Sequence, residues 1–113
     1  MSINVKSIRS VLKACAEDTR LRILNLLDTK EVTVKVICQT LAISQSVASK
    51  HLSRLRLIKL VVDRRCGNLV YYRLTKNVDS FQYKVTLFLH EQCQQISSLQ
   101  DDKKMLSKVL KEA

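Results

Sequence analysis

One stretch decides the fold of this chain: Ser44-Gln45-Ser46-Val47-Ala48-Ser49-Lys50-His51-Leu52-Ser53-Arg54-Leu55. Apolar residues recur in it at helical spacing and define one face, while polar residues fill the opposite face. Ser44 directly precedes the pattern and is a favourable N-cap residue. The spacing therefore predicts an amphipathic helix from Ser44 to about Leu57, whose apolar face consists of Val47, Ala48, Leu52 and Leu55.

A shorter helix is predicted directly before this one. Thr33 can cap it, and it ends near Leu41, so that only Ala42 and Ile43 separate it from Ser44. Two short helices joined by so few residues form the helix-turn-helix pattern, whose second helix enters the major groove of DNA. The helix after Ser44 is therefore a candidate recognition helix.

The polar face of the candidate recognition helix carries residue types that suit DNA. Gln can pair bidentately with adenine, Ser can donate or accept at either kind of base pair, and Lys or Arg suits phosphate or guanine. The alternative is the solvated face of an ordinary helix. The DNA-contacting candidates on this helix are Ser44, Gln45, Ser46, Ser49, Lys50, His51 and Arg54.

A β-hairpin is predicted after the recognition helix. Residues 60–65 and 69–74 are rich in β-branched and aromatic side chains, and Cys66, Gly67 and Asn68 lie between them. Arg64 and Arg65 would lie at the hairpin tip, where guanidinium groups can contact phosphates or enter a minor groove. Alternatively, they are edge-strand charges that discourage aggregation. Both arginines and Asn68 join the DNA-contacting candidates.

Length and composition indicate a single domain, residues 1–113, that is mainly α. The chain has no proline and one glycine, and it is 46% hydrophobic, which excludes a disordered tail. Further helices are predicted over residues 3–16, from Thr19 to about Leu27 with Asp18 as cap, over residues 78–96, and after a cap at Asp101. The expected fold thus has five to six helices and a small two-stranded hairpin.

The positive charge lies in the middle of the chain. The net charge is +10, and residues 32–78 hold nine basic residues and one acid, which is +8 of that total. A focused positive charge indicates an anionic partner, and nucleic acid is the default; simple solubility is the alternative. The sequence shows no signal peptide or membrane span, so a cytoplasmic protein with reduced thiols and no membrane partner is expected.

The residues from Leu12 to Leu24 carry a family resemblance. They look like the opening signature of the ArsR/SmtB repressors, usually read as Leu-Lys-Ala-Leu-Ala-Asp-Pro-Thr-Arg-Leu-Arg-Ile-Leu. Residues 41–55 resemble the recognition region of that family and residues 61–74 its wing, so the match covers roughly residues 8–74. Each motif alone is weak, but their order and spacing together are specific.

The resemblance implies a winged helix-turn-helix protein that forms a homodimer, with terminal helices at about 3–16 and 78–111 in the interface. It also implies a sequence-specific transcriptional repressor that binds a double-stranded DNA operator and is released by a metal, a metalloid or a thiol-reactive species. Ser46, Ser49 and Lys50 fall at the family's base-contacting positions, although His is common at the position of Lys50.

The family's metal sites match this sequence poorly. Where many members have Cys-Val-Cys, this chain has Thr33-Val34-Lys35, which cannot replace two thiolates on a soft ion. Other members bind zinc-like ions on the long helix at a site shared across the dimer, and its ligand positions fall on Lys76, Val78, Leu89 and Gln92. A shift of one residue restores the spacing with Asn77, Asp79, His90 and Cys93. His90 and Cys93 would then share a helix face; the alternative is a polar surface beside a buried thiol.

A sensor made of thiols is the other option. Cys15 replaces a usual Leu in the first helix, and Cys93 lies on the long helix that packs against the first helix in this family. The two thiols could bind a metalloid, or form a disulfide if their Cα atoms lie within roughly 7 Å. Alternatively, Cys15 and Cys93 are small core residues. Cys66, at the hairpin, is expected to be more exposed and is a separate candidate for oxidation. The candidate sensor residues, for a soft metal or metalloid inducer, are Cys15, Asp79, His90 and Cys93.

Other functional classes receive less support. An enzyme is not expected, because the chain has two histidines, one of them in the recognition helix, and a single glycine cannot build a phosphate-binding loop. A winged helix for RNA or protein contacts would not need the face of Gln45, Ser46 and Ser49. A regulator that has lost its inducer site is also open at this point.

Overall fold

The computed structural model describes residues 3–112, which form six helices and a three-stranded antiparallel sheet. The predicted class, a mainly α winged helix-turn-helix fold, is confirmed. In chain order the elements are α1 (Val5–Cys15), α2 (Asp18–Thr29), β1 (Val32–Thr33), α3 (Val34–Leu41), α4 (Gln45–Leu57), β2 (Val61–Cys66), β3 (Leu69–Leu74), α5 (Phe81–Cys93) and α6 (Ser97–Glu112).

Helix α2 forms the centre of the core. It packs against α1, α4, α5 and α6, because its apolar residues lie on several faces. Ile23 and Leu26 are completely buried, and Ile37, Leu52 and Leu55 from the helix-turn-helix pack in the same cluster. Full burial of a side chain of this size contributes about 1.5–3 kcal/mol, so α3 and α4 are held firmly on α2.

Helix α6 folds back over α2 and α3. Leu99 and Leu106 are buried, the Asn25 amide donates to the Leu99 carbonyl (2.9 Å), and Arg22 donates to both carboxylate oxygens of Asp102 (2.9 and 3.0 Å). The predicted start of this helix at Asp101 is wrong. The helix begins four residues earlier, at Ser97.

Three other predicted boundaries move for local reasons. The cap of α2 is Glu17 rather than Asp18, and its carboxylate accepts from the N–H groups of Thr19 and Arg20 (3.1 and 2.8 Å). Helix α1 begins after a capping box on Asn4, two residues later than predicted. Helix α5 begins after Ser80 and ends at Cys93, so it is shorter than the predicted 78–96.

The sheet contains one strand that the sequence did not indicate. Strand β1 pairs with β3 in the register Val32 to Tyr72, and the strand order is β1-β3-β2. Two residues are too few for a strand pattern to be recognised. The β2–β3 turn is as predicted: Gly67 has a φ of +62°, which suits a two-residue hairpin loop with glycine at its first position.

Candidate nucleic-acid interface

A short turn fixes the direction of α4 relative to α3. Ala42 adopts the left-handed conformation (φ +56°), and its N–H and that of Ile43 bond to the Cys38 carbonyl. The Ser44 hydroxyl then accepts from the Val47 N–H (3.2 Å) and caps α4. These bonds pair the Cys38 carbonyl at the end of α3 and the Val47 N–H at the start of α4, which have no partner within their own helices. The predicted helix-turn-helix geometry therefore rests on a specific turn.

Helix α4 is mounted on the core by one face and presents the other to solvent. Ala48, Leu52 and Leu55 are completely buried. The prediction that Val47 belongs to this apolar face is wrong, because Val47 is 41% exposed. Among the candidates, Ser49 is half-buried, and the exposed residues on the outer face are Ser44, Gln45, Ser46, Lys50 and Arg54.

His51 lies differently from the other candidates on α4. Its side chain is 18% exposed, and its Nδ1 lies 3.3 Å from Arg20 Nη1 and 3.8 Å from a Glu17 oxygen. Arg20 also donates from Nε to the Ala14 carbonyl (2.6 Å). His51 thus contacts the junction of α1 and α2. The sequence analysis did not predict this network. The only indication of it in the sequence is that Ala14, Glu17 and Arg20 all lie in the family's opening signature.

Glu17 is held as a carboxylate within this network. Burial opposes its ionisation, but the hydrogen bonds from the Arg20 and Thr19 backbone and the nearby charges of His51 and Arg20 outweigh it. The pKa of Glu17 therefore lies below its ordinary value of 4.5. At neutral pH a negative charge remains at the start of α2, where it interacts favourably with the positive end of the helix dipole.

The register of the hairpin separates the two arginines that were predicted at its tip. Arg64 pairs with Tyr71 and Arg65 with Val70, so the two side chains lie on opposite faces of the sheet. Arg65 shares a face with Asp63, which accepts from Arg56 of α4 (3.0 Å).

Arg64 lies on the far face of the sheet from α4. Its guanidinium donates to Glu31 (Nη2–Oε1 2.6 Å) and lies over the Tyr71 ring, 4.9 Å from the centroid. Both arginines are exposed, but Arg64 is paired with Glu31, whereas Arg65 lies on the sheet face nearest to α4. Asn68 is exposed at the hairpin turn.

The candidate sensor residues are not brought together as one cluster. His90 on α5 bonds to Asp28, which also pairs with Lys103 (3.5 Å). Asp79 is exposed in the turn before α5. Between residues 3 and 112 no three His, Cys, Asp or Glu side chains are arranged to hold a metal ion. A site shared between two subunits, as the resemblance implies, stays a prediction.

The candidate thiols differ in their surroundings. Cys93 is buried on α5 and Cys15 is half-buried on α1, whereas Cys66 is exposed at the hairpin. Burial raises the pKa of the Cys15 and Cys93 thiols, so both are protonated at neutral pH. A protonated thiol is a poor nucleophile and metal ligand until it loses its proton.

Known proteins resemble this chain over the same region. The profile of the bacterial regulatory proteins of the arsR family matches residues 17–61. The arsenic resistance transcriptional regulator ArsR1 of Pseudomonas putida is 41% identical over 69 residues, which cover 60% of this chain and 54% of that protein. The transcriptional repressor SdpR of Bacillus subtilis is 34% identical over 71 residues, which cover 63% of this chain and 79% of SdpR.

Solved structures extend the similarity to the fold. HlyU from Vibrio cholerae has a TM-score of 0.70 and 34% identity, covering 84% of this chain and all of that one. A homodimeric winged helix-turn-helix DNA-binding domain from Mycobacterium bovis has a TM-score of 0.65 and 31% identity, covering 80% of this chain and 84% of that one. The fold and its helix-turn-helix place the chain in the winged helix-turn-helix class. Within that class, the chain belongs to the ArsR family.

One further observation concerns membranes. Among the helices of residues 3–112, none has both the length and the apolar composition needed to cross a bilayer.

Proposed function

We propose that this chain is a sequence-specific DNA-binding transcriptional repressor that acts as a homodimer. The observation that carries the proposal is the outer face of α4, whose N-terminus is capped by the Ser44 hydroxyl. Gln45 and short hydroxyls lie on this face, and the opposite face of the helix is buried in the core. Short side chains let the helix backbone approach base edges closely, and Gln can pair with adenine. The repressor role rests on the likeness to SdpR.

The charge of the surrounding segment supports the same surface. Lys50 and Arg54 are exposed on α4, and Arg65 is exposed on the sheet face nearest to α4. In this arrangement α4 occupies the major groove, and the tip of the hairpin reaches the neighbouring backbone or minor groove. His51 and Arg64 have internal partners, so the proposal rests on the remaining candidates.

Release by a metal, a metalloid or a thiol-reactive species is the regulatory part of the proposal. Cys66 is the accessible thiol, and an adduct on it would lie at the hairpin tip, against the proposed DNA position. Operator release should be measured against zinc, cadmium, arsenite and peroxide in the wild type and in Cys15→Ser, Cys66→Ser and Cys93→Ser. Unchanged release in all three variants would contradict a thiol sensor.

Base reading by α4 can be tested with a selected duplex. A duplex is first enriched from random sequence with the purified protein, and its affinity is compared with that of a scrambled duplex. The double variant Gln45→Ala, Ser49→Ala should lose about 5- to 150-fold of affinity for the selected duplex for each bidentate base contact removed, one from each subunit, with little change for the scrambled duplex.

The matched control removes the same side-chain types from exposed positions away from α4. Gln95→Ala with Ser107→Ala should leave both affinities unchanged. The proposal is contradicted if no sequence is enriched, or if the α4 variant loses affinity equally for both duplexes.

A further inference from the structure

We propose that a cleft behind the hairpin binds a small organic carboxylate. The cleft lies between the end of α2, the outer face of the β2–β3 hairpin and one side of α5 from Tyr83 to His90, on the opposite side of the sheet from the proposed DNA surface. This site is separate from α4 and contains no cysteine; among the candidate sensor residues only His90 lines it, where it is paired with Asp28. The inference therefore goes beyond the proposed function.

The size and walls of the cleft suit a small molecule. Its volume is about 780 Å³, within the range of roughly 300–1,000 Å³ that is usual for ligand sites. Leu27, Leu74 and Leu87 form apolar wall, and Tyr83 and Thr86 add polar atoms. Leu87 is 47% exposed, so part of this wall has apolar area left to cover. An aromatic or short aliphatic body would fill such a space.

The charges around the cleft favour an anion. Lys30, Arg64, Arg73 and Lys76 line it, against two acids, Asp28 and Glu31. Asp28 is already paired with His90 and with Lys103, a residue outside the cleft lining. The hydrogen bond from Arg64 and then the charges of Arg73 and Lys76 hold the pKa of Glu31 below its ordinary value, although partial burial opposes this. Several cations thus converge on one internal carboxylate, and positive charge remains in excess.

The arginines are already arranged to recognise a carboxylate. Arg64 donates to Glu31 through Nη2 (2.6 Å) and Nε (3.2 Å to the same oxygen), and the Tyr71 ring supports its guanidinium. Arg73 Nε lies 4.0 Å from Glu31, and its Nη1 donates to the Leu74 carbonyl (3.2 Å). Of the five N–H groups of a guanidinium, Arg73 therefore keeps several for a ligand carboxylate.

Benzoate is a suitable probe, because it joins a carboxylate to a ring that the cleft can hold. Binding is followed by the backbone amide shifts of Leu74, Lys76 and Thr86 in ¹H–¹⁵N NMR spectra of the full chain without DNA. Benzoate should shift these amides, whereas benzyl alcohol, which has no charge, and inorganic phosphate, which has no ring, should bind more weakly.

Charge variants provide the decisive comparison. Arg73→Gln with Lys76→Gln should weaken benzoate about two- to fivefold for each cation removed, while Glu31→Gln should tighten it by removing the internal competitor. Lys104→Gln with Lys111→Gln, on the exposed side of α6, is the matched control and should change nothing. The same NMR spectra report whether each variant is folded.

Three results would overturn the proposal. If benzyl alcohol binds as tightly as benzoate, the cleft recognises only the apolar ring. If phosphate binds and benzoate does not, the cleft is a general anion site. Equal benzoate affinity in the wild type, the Arg73 and Lys76 variant and Glu31→Gln, or no shift at all, would show that no carboxylate site exists. None of these results depends on DNA binding, so they leave the proposed function untouched.

Discussion

Glu17 is the residue that joins the elements beneath the recognition helix. Its carboxylate caps α2 by accepting from the Arg20 N–H, and it lies 3.8 Å from His51 of α4. The Arg20 side chain in turn donates to the Ala14 carbonyl at the end of α1. Three helices therefore meet at one carboxylate. A capping residue of this kind contributes about 1 kcal/mol.

Acid should remove the contribution of Glu17. The pKa of Glu17 is lowered in the folded chain, so its stabilisation is complete above about pH 4.5, the ordinary value, and is lost as the pH falls through the lowered pKa. Glu17→Gln should lower the free energy of unfolding by about 1 kcal/mol at pH 7 and flatten its decline below pH 4.5. Urea unfolding at several pH values measures this. A Glu112→Gln control, exposed on α6, should keep the wild-type profile; an unchanged profile in Glu17→Gln would refute the role.

Ala42 occupies a position where glycine is favoured. Its φ of +56° costs a residue with a Cβ about 1–2 kcal/mol, and glycine avoids that cost but is more flexible when unfolded. Ala42→Gly should therefore raise the free energy of unfolding by about 0.5–1 kcal/mol. Ala16→Gly is the control, because Ala16 has a φ of −90° and gains nothing. Destabilisation by Ala42→Gly in urea titrations would show that the turn does not have this conformation.

At the scale of elements, the hairpin divides its charges between two sheet faces. Strand alternation places Arg65 on the face of Asp63 and α4, and Arg64 on the face of Tyr71 and Glu31. The two adjacent arginines thus have different surroundings. Both are exposed, but only Arg65 lies on the sheet face nearest to α4.

This division predicts different effects of two adjacent substitutions. In the homodimer Arg65→Ala removes two phosphate contacts, one from each subunit, so the dependence of DNA affinity on salt should fall by about two units of log–log slope. Arg64→Ala should have a smaller effect, because Glu31 already neutralises Arg64. Anisotropy titrations at several salt concentrations compare the two. A larger loss in Arg64→Ala would mean that DNA displaces Glu31 and the assignment of faces is wrong.

Local patterns predicted those elements that local forces determine. The helix-turn-helix and the hairpin were found because capping residues, apolar spacing and Gly67 mark them directly. The start of α6 is not evident from the sequence, because burial of Leu99 and the hydrogen bond from Asn25 to its carbonyl extend the helix toward the N-terminus, so that it begins before Asp101. His51 was placed with the DNA contacts, since its partners Glu17 and Arg20 are more than 30 residues away and spacing on α4 does not show them.

At the scale of the whole molecule, α1 and α5 leave apolar area uncovered. Val5 is 81% exposed and Phe88 59%, and Leu12 is also exposed. Helix α6 packs on α2 and α3 of its own chain. Of the predicted interface at residues 3–16 and 78–111, we therefore propose that α1 and α5 contact the second subunit and that α6 does not. Exposed apolar area on two helices is typical of a subunit interface.

Phe88→Glu should separate the proposed dimer. A charge placed at the centre of an apolar interface costs about 2 kcal/mol or more, which weakens dimerisation by at least about 30-fold. The monomer should stay folded, because Phe88 is largely exposed within one chain. Sedimentation equilibrium measures the dissociation constant. Met105→Glu on α6, also exposed, is the control; equal behaviour of the two variants would place the interface elsewhere.

Sequence-specific DNA binding by this basic chain should depend steeply on salt. Affinity of the wild-type chain for its selected duplex and for a scrambled duplex is measured from 50 to 200 mM salt. A dimer that contacts about 6 to 10 phosphates should lose roughly 10³- to 10⁵-fold of affinity over this range. The selected duplex should bind more tightly throughout. An affinity that stays flat with salt, or equal affinities for the two duplexes, would contradict the account.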